Sequence, residues 1–365
     1  MRLNKERITA AAAALYLFGF AAWNLVSPNQ AESTAERRSL AQFPEATVQT
    51  ILSGRFMSEF DTFSLDQFPL RDPFRTLKAL TAGIVMGETD NNGIYLADGY
   101  VSKLDAALQE DSLRYAAGRF RFLYESYLAD TDCRVYLSII PDKNYFMAKQ
   151  NGYPDLDYDR LISVMREEMP YAVYADLFPA LSLEDYYPTD THWRQERLGR
   201  AAVVLAETMG SGLTQEYTEK ELDVPFYGVY YGQSALPLKP DSIKYLDSGL
   251  FDACTVYDYE TGTEGTIYHP ELTRGRDPYE FFLAGSKSLL TIRNPQAKTD
   301  RELVVFRDSF GSSIAPLLAE AYRSVTLVDI RYLQPALLGR FLTFENQDIL
   351  FLYSTSVLNN SVTLK

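Results

Sequence analysis

Two short segments of this 365-residue chain carry side chains that could perform acyl-transfer chemistry together. The first is Asp190-Thr191-His192-Trp193. The second is residues 307–313 (RDSFGSS), in which Ser309 lies where a β-forming run gives way to a helix. A serine becomes a nucleophile when an imidazole takes its proton and a carboxylate orients that imidazole. The chain has only two histidines, so this chemistry must use His192 or His269. The spacing predicts Ser309 as nucleophile, His192 as base and Asp190 as its partner.

The element that must present Ser309 is a strand that turns into a helix. Residues 303–306 are apolar and β-forming, and residues 314–322 have helical periodicity, with Ser312 or Ser313 as the predicted N-cap. Backbone N–H groups at such a junction can stabilise the oxyanion of a tetrahedral intermediate. We expect Asp308 to be structural and to accept hydrogen bonds from N–H groups of the turn.

The element that must present His192 is an extended turn ahead of a helix. Residues i and i+2 project to the same side of an extended turn, so the Asp190 carboxylate can reach the ring there but not on a helix. The following helix is predicted over 194–209 and ends at Gly210. We expect Trp193 to be a packing wall, and His269 to be structural because no acidic residue lies at a useful spacing.

These segments resemble the DHHW family of exported bacterial proteins and the alginate O-acetyltransferase group, a branch of the SGNH esterase/acyltransferase fold. The resemblance covers most of the chain after residue 40 and is weakest over 211–280. It extends to Phe43-Pro44, Gly54-Arg55-Phe56 and residues 66–72 (DQFPLRD), 92–95 (NGIY), 140–145 (IPDKNY) and 329–332 (DIRY).

The resemblance implies a Ser309–His192–Asp190 triad on an SGNH-hydrolase-like α/β fold. It also implies a circularly permuted motif order, with the serine after the Asp-His pair. Thr191 corresponds to the second residue of the Asp-His-His-Trp motif, which is histidine in the family name; the alginate-type pattern tolerates other residues at this position. Arg307 stands where the usual serine block has glycine, so it could narrow or re-aim the oxyanion pocket.

Four further residues are candidates for substrate binding. Lys143 follows a predicted strand and could bind an anionic group, although a solvated loop lysine is the favoured interpretation. Tyr230 and Tyr231, in a tyrosine-rich stretch that also contains Tyr227, could stack on sugar rings. Arg307 is the fourth candidate, through the pocket that it would border.

Composition limits the classes of partner. The net charge of −14 argues against nucleic acid, which needs a basic footprint. No metal site is expected because neither histidine has a ligand at helical or loop spacing, and no cofactor is implied. Cys133 and Cys254 could form one disulfide or remain two thiols.

The N-terminus predicts a membrane anchor. Arg2, Lys5 and Arg7 precede an uncharged, mostly apolar run over 8–26, which is about long enough to cross a hydrocarbon core. The positive flank predicts that residues after about 28 are extracytoplasmic. We expect an uncleaved signal-anchor, with a cleaved, secreted form as the alternative.

The remaining chain alternates strands and helices. A hairpin is predicted around 94–101, helices over 44–85, 104–128 and 158–169, and strands over 134–140, 172–177, 325–330 and 349–353. Such alternation is typical of a mostly parallel sheet flanked by helices. Residues 211–280 do not fit it and are interpreted as an irregular β-rich insertion, with short strands at 224–228 and 265–268. The predicted domains are therefore an anchor over 1–28 and one catalytic domain over 29–365.

The function that the resemblance implies is extracytoplasmic serine O-acylation, specifically O-acetylation of an exported or cell-surface polysaccharide. Because acetyl-CoA is cytoplasmic, the family also implies a membrane-bound O-acyltransferase partner that supplies the acetyl group. The same triad in a wetter pocket would hydrolyse esters, so a carbohydrate esterase or deacetylase is the alternative. A non-catalytic cell-surface glycan-binding or assembly protein is a third possibility.

Overall fold

The computed structural model describes residues 5–214 and 216–365 and divides the chain into two compact units. An N-terminal unit comprises Met1–Asn92 and Tyr231–Leu238, and a main unit comprises Gly93–Tyr230 and Lys239–Lys365. The sequence predicts one domain over 29–365, whereas residues 29–92 and 231–238 here cluster with the N-terminal helix.

The N-terminal unit is mainly helical, as predicted over 44–85. It contains the helices and strands α1 (Lys5–Val26), β1 (Glu32–Ser33), β2 (Arg38–Ser39), α2 (Val48–Leu52), α3 (Arg55–Asp66) and α4 (Arg71–Leu80), followed by a π-helical turn over Thr81–Val85. Helix α1 is long and apolar enough to cross a membrane, although a signal sequence has the same properties. Its Phe20 ring stacks on Phe68 with centroids 5.4 Å apart.

The main unit is built on one eight-stranded sheet. Its strands are β5 (Arg134–Ile140), β6 (Val173–Asp176), β9 (Thr255–Asp258), β10 (Thr263–Gly265), β11 (Leu289–Arg293), β12 (Glu302–Arg307), β13 (Ser324–Val328) and β14 (Asp348–Ser354). The order is β10-β9-β11-β13-β12-β14-β5-β6. The five strands from β13 to β6 run parallel, and β11, β9 and β10 pair antiparallel. The expected mostly parallel sheet is confirmed.

Helices cover both faces of this sheet, because its central strands are apolar on both sides. The helices of the main unit are α5 (Glu110–Leu123), α6 (Lys143–Met147), α7 (Tyr158–Glu168), α8 (Gly199–Thr208), α10 (Gly249–Ala253), α11 (Gly311–Leu318) and α12 (Thr355–Asn359). Helix α9 (Val229–Ser234) begins in this unit, and its residues from Tyr231 onward belong to the N-terminal unit. Successive residues of β12 go to opposite cores: Val305 packs with α8 and α11, and Phe306 packs with α5 and α7.

Two small antiparallel sheets complete the main unit. The predicted hairpin is present as β3 (Ile94–Ala97) paired with β4 (Tyr100–Lys103). Strands β7 (Thr218–Phe226) and β8 (Asp241–Asp247) form a second hairpin, with an irregular register between Glu221 and Pro225.

Several predicted boundaries are wrong. Helix α5 starts at Glu110 rather than 104, and α8 starts at Gly199 after a 3₁₀ turn over Gln195–Arg197. The sequence predicts no strand between 281 and 302, whereas β11 lies there and occupies the interior of the sheet. Among the described residues of 211–280, β9 and β10 extend the central sheet, whereas β7 and β8 form a separate two-stranded sheet. A sequence window does not reveal strand pairing between distant segments.

The length and composition of α1, with Arg2, Lys5 and Arg7 at the N-terminal end of the sequence, predict a single membrane crossing with the main unit exported. A C-terminal reporter that is active only outside the cytoplasm should therefore be active, because the positively charged end of the helix is expected to stay inside. The full-length protein should fractionate with membranes and retain its N-terminus. A mature protein that begins near residue 32, or an inactive reporter with a stable fusion protein, would contradict the anchor.

Candidate active site

Ser309 lies in the turn between β12 and α11, at the carboxyl end of the parallel strands. The Asp308 carboxylate braces this turn: it accepts from the Phe310 N–H at 3.0 Å and from the Ser354 N–H and hydroxyl at 2.8 and 2.7 Å. Asp308 thus ties the end of β12 to the end of β14, which is the structural position expected for it. Ser309 itself is half-buried.

The three residues singled out from the sequence are joined by hydrogen bonds. His192 Nε2 lies 2.7 Å from Ser309 Oγ, and His192 Nδ1 lies 2.6 Å from Asp190 Oδ1. The Asp190 side chain is fully buried, and His192 is 7% exposed. With Asp190 ionised, Nδ1 carries the hydrogen and Nε2 accepts from the serine hydroxyl. The segment lies in a bend ahead of α8, as the spacing predicts.

The Asp190 turn is held by the segment that follows β7. Asp190 Oδ2 accepts from the Val229 N–H at 2.8 Å, and Thr189 Oγ1 accepts from the Gly228 N–H at 2.9 Å. The Thr189 carbonyl accepts from the Tyr230 N–H at 3.1 Å. The hairpin that the sequence leaves as an insertion therefore leads into a segment whose main chain fixes the carboxylate.

Tyr279 forms one wall of the site and has no signal in the sequence. Its ring stacks on the His192 imidazole with centroids 4.0 Å apart and planes 9° apart. Its hydroxyl donates to Ser313 Oγ at 2.8 Å, and the Trp193 indole N–H donates to the same oxygen at 2.8 Å. Burial raises the pKa of Tyr279 well above its usual value, so the phenol stays neutral. Trp193 is fully buried, as expected of a packing wall.

The predicted helix cap is wrong. Helix α11 begins at Gly311 with Phe310 as its N-cap, and no side chain caps it. The Gly311 and Ser312 N–H groups bond the Asp308 and Ser309 carbonyls at 3.1 and 3.2 Å, which starts the helix earlier than the serines suggest. Ser312 and Ser313 are buried inside its first turn.

Lys143 is not the solvated loop lysine that the sequence favours. Its side chain is 1% exposed, and Nζ donates to the Tyr187 and Pro188 carbonyls at 3.1 and 3.2 Å. Burial lowers the pKa of Lys143 to about 7. An ammonium buried in this way is not presented to a substrate, so its expected role in substrate binding is corrected.

Arg307 also lies inside the protein rather than along the pocket. Its guanidinium donates to the Asp308 and Lys287 carbonyls at 3.3 Å each, and it lies 3.8 Å from the Asp329 carboxylate. A Cβ added at Gly311 would lie 2.7 Å from Arg307 Cβ, so the first turn of α11 packs on this side chain. The expectation that Arg307 contacts substrate is corrected: its buried side chain packs against the turn that carries Ser309.

The tyrosines of the segment after β7 differ in environment. Tyr227 is 38% exposed, whereas Tyr230 is half-buried, with its hydroxyl donating to Thr191 Oγ1 at 3.3 Å. Tyr231 belongs to the N-terminal unit. Of the three, Tyr227 has the exposure that a sugar-stacking residue needs.

The remaining candidates lie outside this site. His269 Nδ1 is 2.9 Å from Glu271 Oε1 near the surface, so the expectation of no acidic neighbour is wrong. Cys133 and Cys254 are free thiols. Among residues 5–214 and 216–365, no group of three or more His, Cys, Asp or Glu side chains could hold a metal ion.

Comparison with known proteins gives matches in structure only. No protein-family model matches the sequence, and no curated protein matches it. A crystal structure of a DHHW family protein from Eubacterium siraeum matches with a TM-score of 0.61 and 20% identity, covering 75% of this chain and 95% of that one. The chain has the fold of a DHHW family protein. The resemblance inferred from the motifs is confirmed at the level of the fold.

PatB1 from Bacillus cereus has the same fold. It matches with a TM-score of 0.57 and 16% identity, covering 73% of this chain and 96% of PatB1. Its structure with a sulfonyl adduct matches with a TM-score of 0.55 and 18% identity, covering 73% and 95%. The described sheet and helices therefore form a fold shared by at least two bacterial proteins.

The contact between Gly228 and the Asp190 turn gives a direct test of this geometry. A Cβ added at Gly228 would lie 2.1 Å from the Thr189 carbonyl oxygen, so Gly228→Ala must displace one of the two segments. Because displacement of about 1 Å can cost about 100-fold in rate, serine reactivity should fall at least 10-fold. Gly249→Ala is the matched control, since an added methyl there meets open space. Equal reactivity and equal thermal stability of the two variants would contradict the contact.

Proposed function

We propose that this chain is a membrane-anchored, extracytoplasmic serine O-acyltransferase that acetylates an exported or cell-surface polysaccharide. The observation that carries the proposal is the continuous hydrogen-bonded chain from Ser309 through His192 to Asp190. The choice of acetyl and of a polysaccharide acceptor is supported by the sequence resemblance to the alginate O-acetyltransferase group. Membrane anchoring is supported by the length and composition of α1.

In the proposed reaction, His192 Nε2 takes the Ser309 proton as Oγ attacks the carbonyl carbon of an acyl donor. The negative charge moves to the carbonyl oxygen, for which the Ser309 N–H at the start of the α11 turn is the candidate donor. Collapse of the intermediate expels the donor alkoxide, which takes the proton from His192. The buried Asp190 carboxylate stabilises the imidazolium that forms between these steps.

The second half of the reaction decides between transfer and hydrolysis. A sugar hydroxyl gives its proton to His192 and attacks the acyl-Ser309 carbonyl, and Ser309 then leaves with that proton. Water in place of the sugar would give the carbohydrate esterase that the same residues allow. Holding the acceptor near the acyl carbon can be worth about 7–11 kcal/mol, so acceptor binding determines the outcome. The acetyl donor would come from the membrane-bound O-acyltransferase partner that the family resemblance implies.

The triad predicts a strongly non-additive pair of substitutions. Ser309→Ala and His192→Ala should each reduce kcat by about 10³-fold or more, and the double variant should lose little further, because the groups act as a unit. The measurement is release of product from an activated acetyl ester by the full-length protein. Ser312→Ala, a neighbouring serine inside α11, is the control. An active Ser309→Ala protein, or strictly additive losses, would contradict the assignment.

Transfer and hydrolysis can be separated by following the acetyl group. With an activated acetyl ester as donor, oligosaccharide acceptors should gain acetyl groups by mass spectrometry, and Tyr227→Ala should shift product toward free acetate. Tyr115→Ala is a matched control, because Tyr115 is also exposed but lies on α5. If tested surface glycans gain nothing, while acetylated glycan loses acetyl groups in a Ser309-dependent way, the protein is an esterase.

A further inference from the structure

Lys143 is a buried cation that the proposed reaction does not use. It is the first residue of α6, directly after Asp142, whose side chain caps that helix by accepting from the Asn144 N–H. Burying an ammonium is costly, and it persists in a fold only where its surroundings compensate it. The groups that compensate Lys143 show what it is placed to do.

The ammonium contacts the Asp190 turn from two sides. It donates to the carbonyls of Tyr187 and Pro188, the residues that lead directly into Thr189-Asp190. It also lies 5.1 Å from the centre of the Tyr230 ring, whose hydroxyl bonds Thr191 on the far side of Asp190. Lys143 therefore contacts both the residues that lead into the Asp190 turn and Tyr230, which bonds the residue after Asp190.

The charged groups around Lys143 come from several elements. Asp142 is the N-cap of α6, Asp190 lies in the turn and Asp241 at the start of β8, and all three charges favour the protonated amine. The centre of the Tyr100 ring of β4 lies 5.9 Å from Nζ, and the centre of the Tyr230 ring lies 5.1 Å from it. Asp241 also accepts from the Thr189 N–H and hydroxyl at 2.9 and 2.7 Å, so the same turn connects both groups.

Desolvation opposes these attractions and is the larger effect. It lowers the pKa of Lys143 to about 7, so the charge beside Asp190 changes near neutral pH. When Lys143 is protonated, its charge partly offsets Asp190 and disfavours a second positive charge on His192. Removing that charge therefore favours the imidazolium, in which form His192 cannot act as a base.

We propose that Lys143 is a positioning residue of this site, which holds the Asp190 turn in place and keeps His192 in its neutral, basic form. The inference rests on the proposed function, because it concerns the reactivity of Ser309. It does not require Lys143 to touch the substrate.

The test compares Lys143→Met with wild type in the full-length protein. The rate at which a fluorophosphonate labels Ser309 is measured from pH 5 to pH 9, which needs no knowledge of the substrate. We expect labelling at the optimum to slow by about 10- to 100-fold, because the turn loses its donor. We also expect the acidic limb of the profile to move to higher pH. Lys149→Met, at an exposed lysine just after α6, should match wild type.

A purely structural role predicts a different result, because it would lower the rate without moving the limb. An unshifted limb in Lys143→Met therefore overturns the inference, as does a wild-type rate. Failure of the proposed function is distinct: Ser309→Ala would then label as fast as wild type.

Thermal unfolding provides a second, independent readout. The folded pKa of about 7 lies below the usual 10.5, so the cost of burying the charge is full below pH 7 and fades as pH rises toward 10.5. The Tm of Lys143→Met minus that of wild type should therefore fall between pH 6 and pH 9. A constant difference would contradict the buried ammonium. If Lys143→Met does not fold, Lys143→Gln carries the test, because its amide can donate to the same carbonyls but carries no charge: the acidic limb should still move to higher pH, and an unmoved limb would overturn the inference.

Discussion

The arrangement of this site depends on one buried carboxylate. Asp190 is fully removed from solvent, and a charge in that position is tolerated only when hydrogen bonds replace its lost hydration. The His192 ring and N–H supply two such bonds to Oδ1, and the Val229 N–H supplies one to Oδ2. The same bonds that compensate the charge also fix the orientation of the His192 imidazole, so one set of contacts meets both requirements.

The central sheet brings the second half of the site to this carboxylate. Parallel strands β12, β14 and β5 end at one edge, and the residues just beyond them are Asp308, Thr355 and Asp142. Asp308 bonds Ser354, and Thr355 bonds Asp142 at 2.9 Å, so these strand ends are joined by side chains. Ser309 is then held where a ligand of an open α/β sheet is expected to lie. Ser309 therefore lies at the edge of the central sheet, whereas Asp190 and His192 lie on a turn that other segments hold in place.

The sequence predicts the part of the site that depends on local spacing. Asp190 and His192 are two residues apart, and Ser309 follows an apolar strand, so residue type and position suffice to single out three side chains that the structure joins by hydrogen bonds. Strand β5 and the hairpin β3–β4 are found for the same reason. The predicted start of α11 is wrong because the Asp308 and Ser309 carbonyls accept main-chain hydrogen bonds. These bonds begin the helix before the serines that the sequence predicts as its cap.

What the sequence does not predict comes from contacts between distant segments. Tyr279 stacks on His192 across 87 residues of chain, and no local pattern marks it. Lysine and arginine usually lie at the protein surface, and only the packed fold shows that Lys143 and Arg307 are both buried. Strand β11 is apolar but joins the sheet antiparallel, outside the alternation that identifies its parallel strands.

The central claim is that Ser309 is an activated nucleophile, and covalent labelling tests it most directly. A sulfonyl fluoride is a suitable probe, because it reacts covalently with an activated serine hydroxyl. The full-length protein in its membrane should take up one sulfonyl group, located on Ser309 by peptide mass spectrometry, and Asp190→Ala or His192→Ala should abolish that uptake. Uptake at another residue, or uptake on Ser309 that survives loss of His192, would contradict the account.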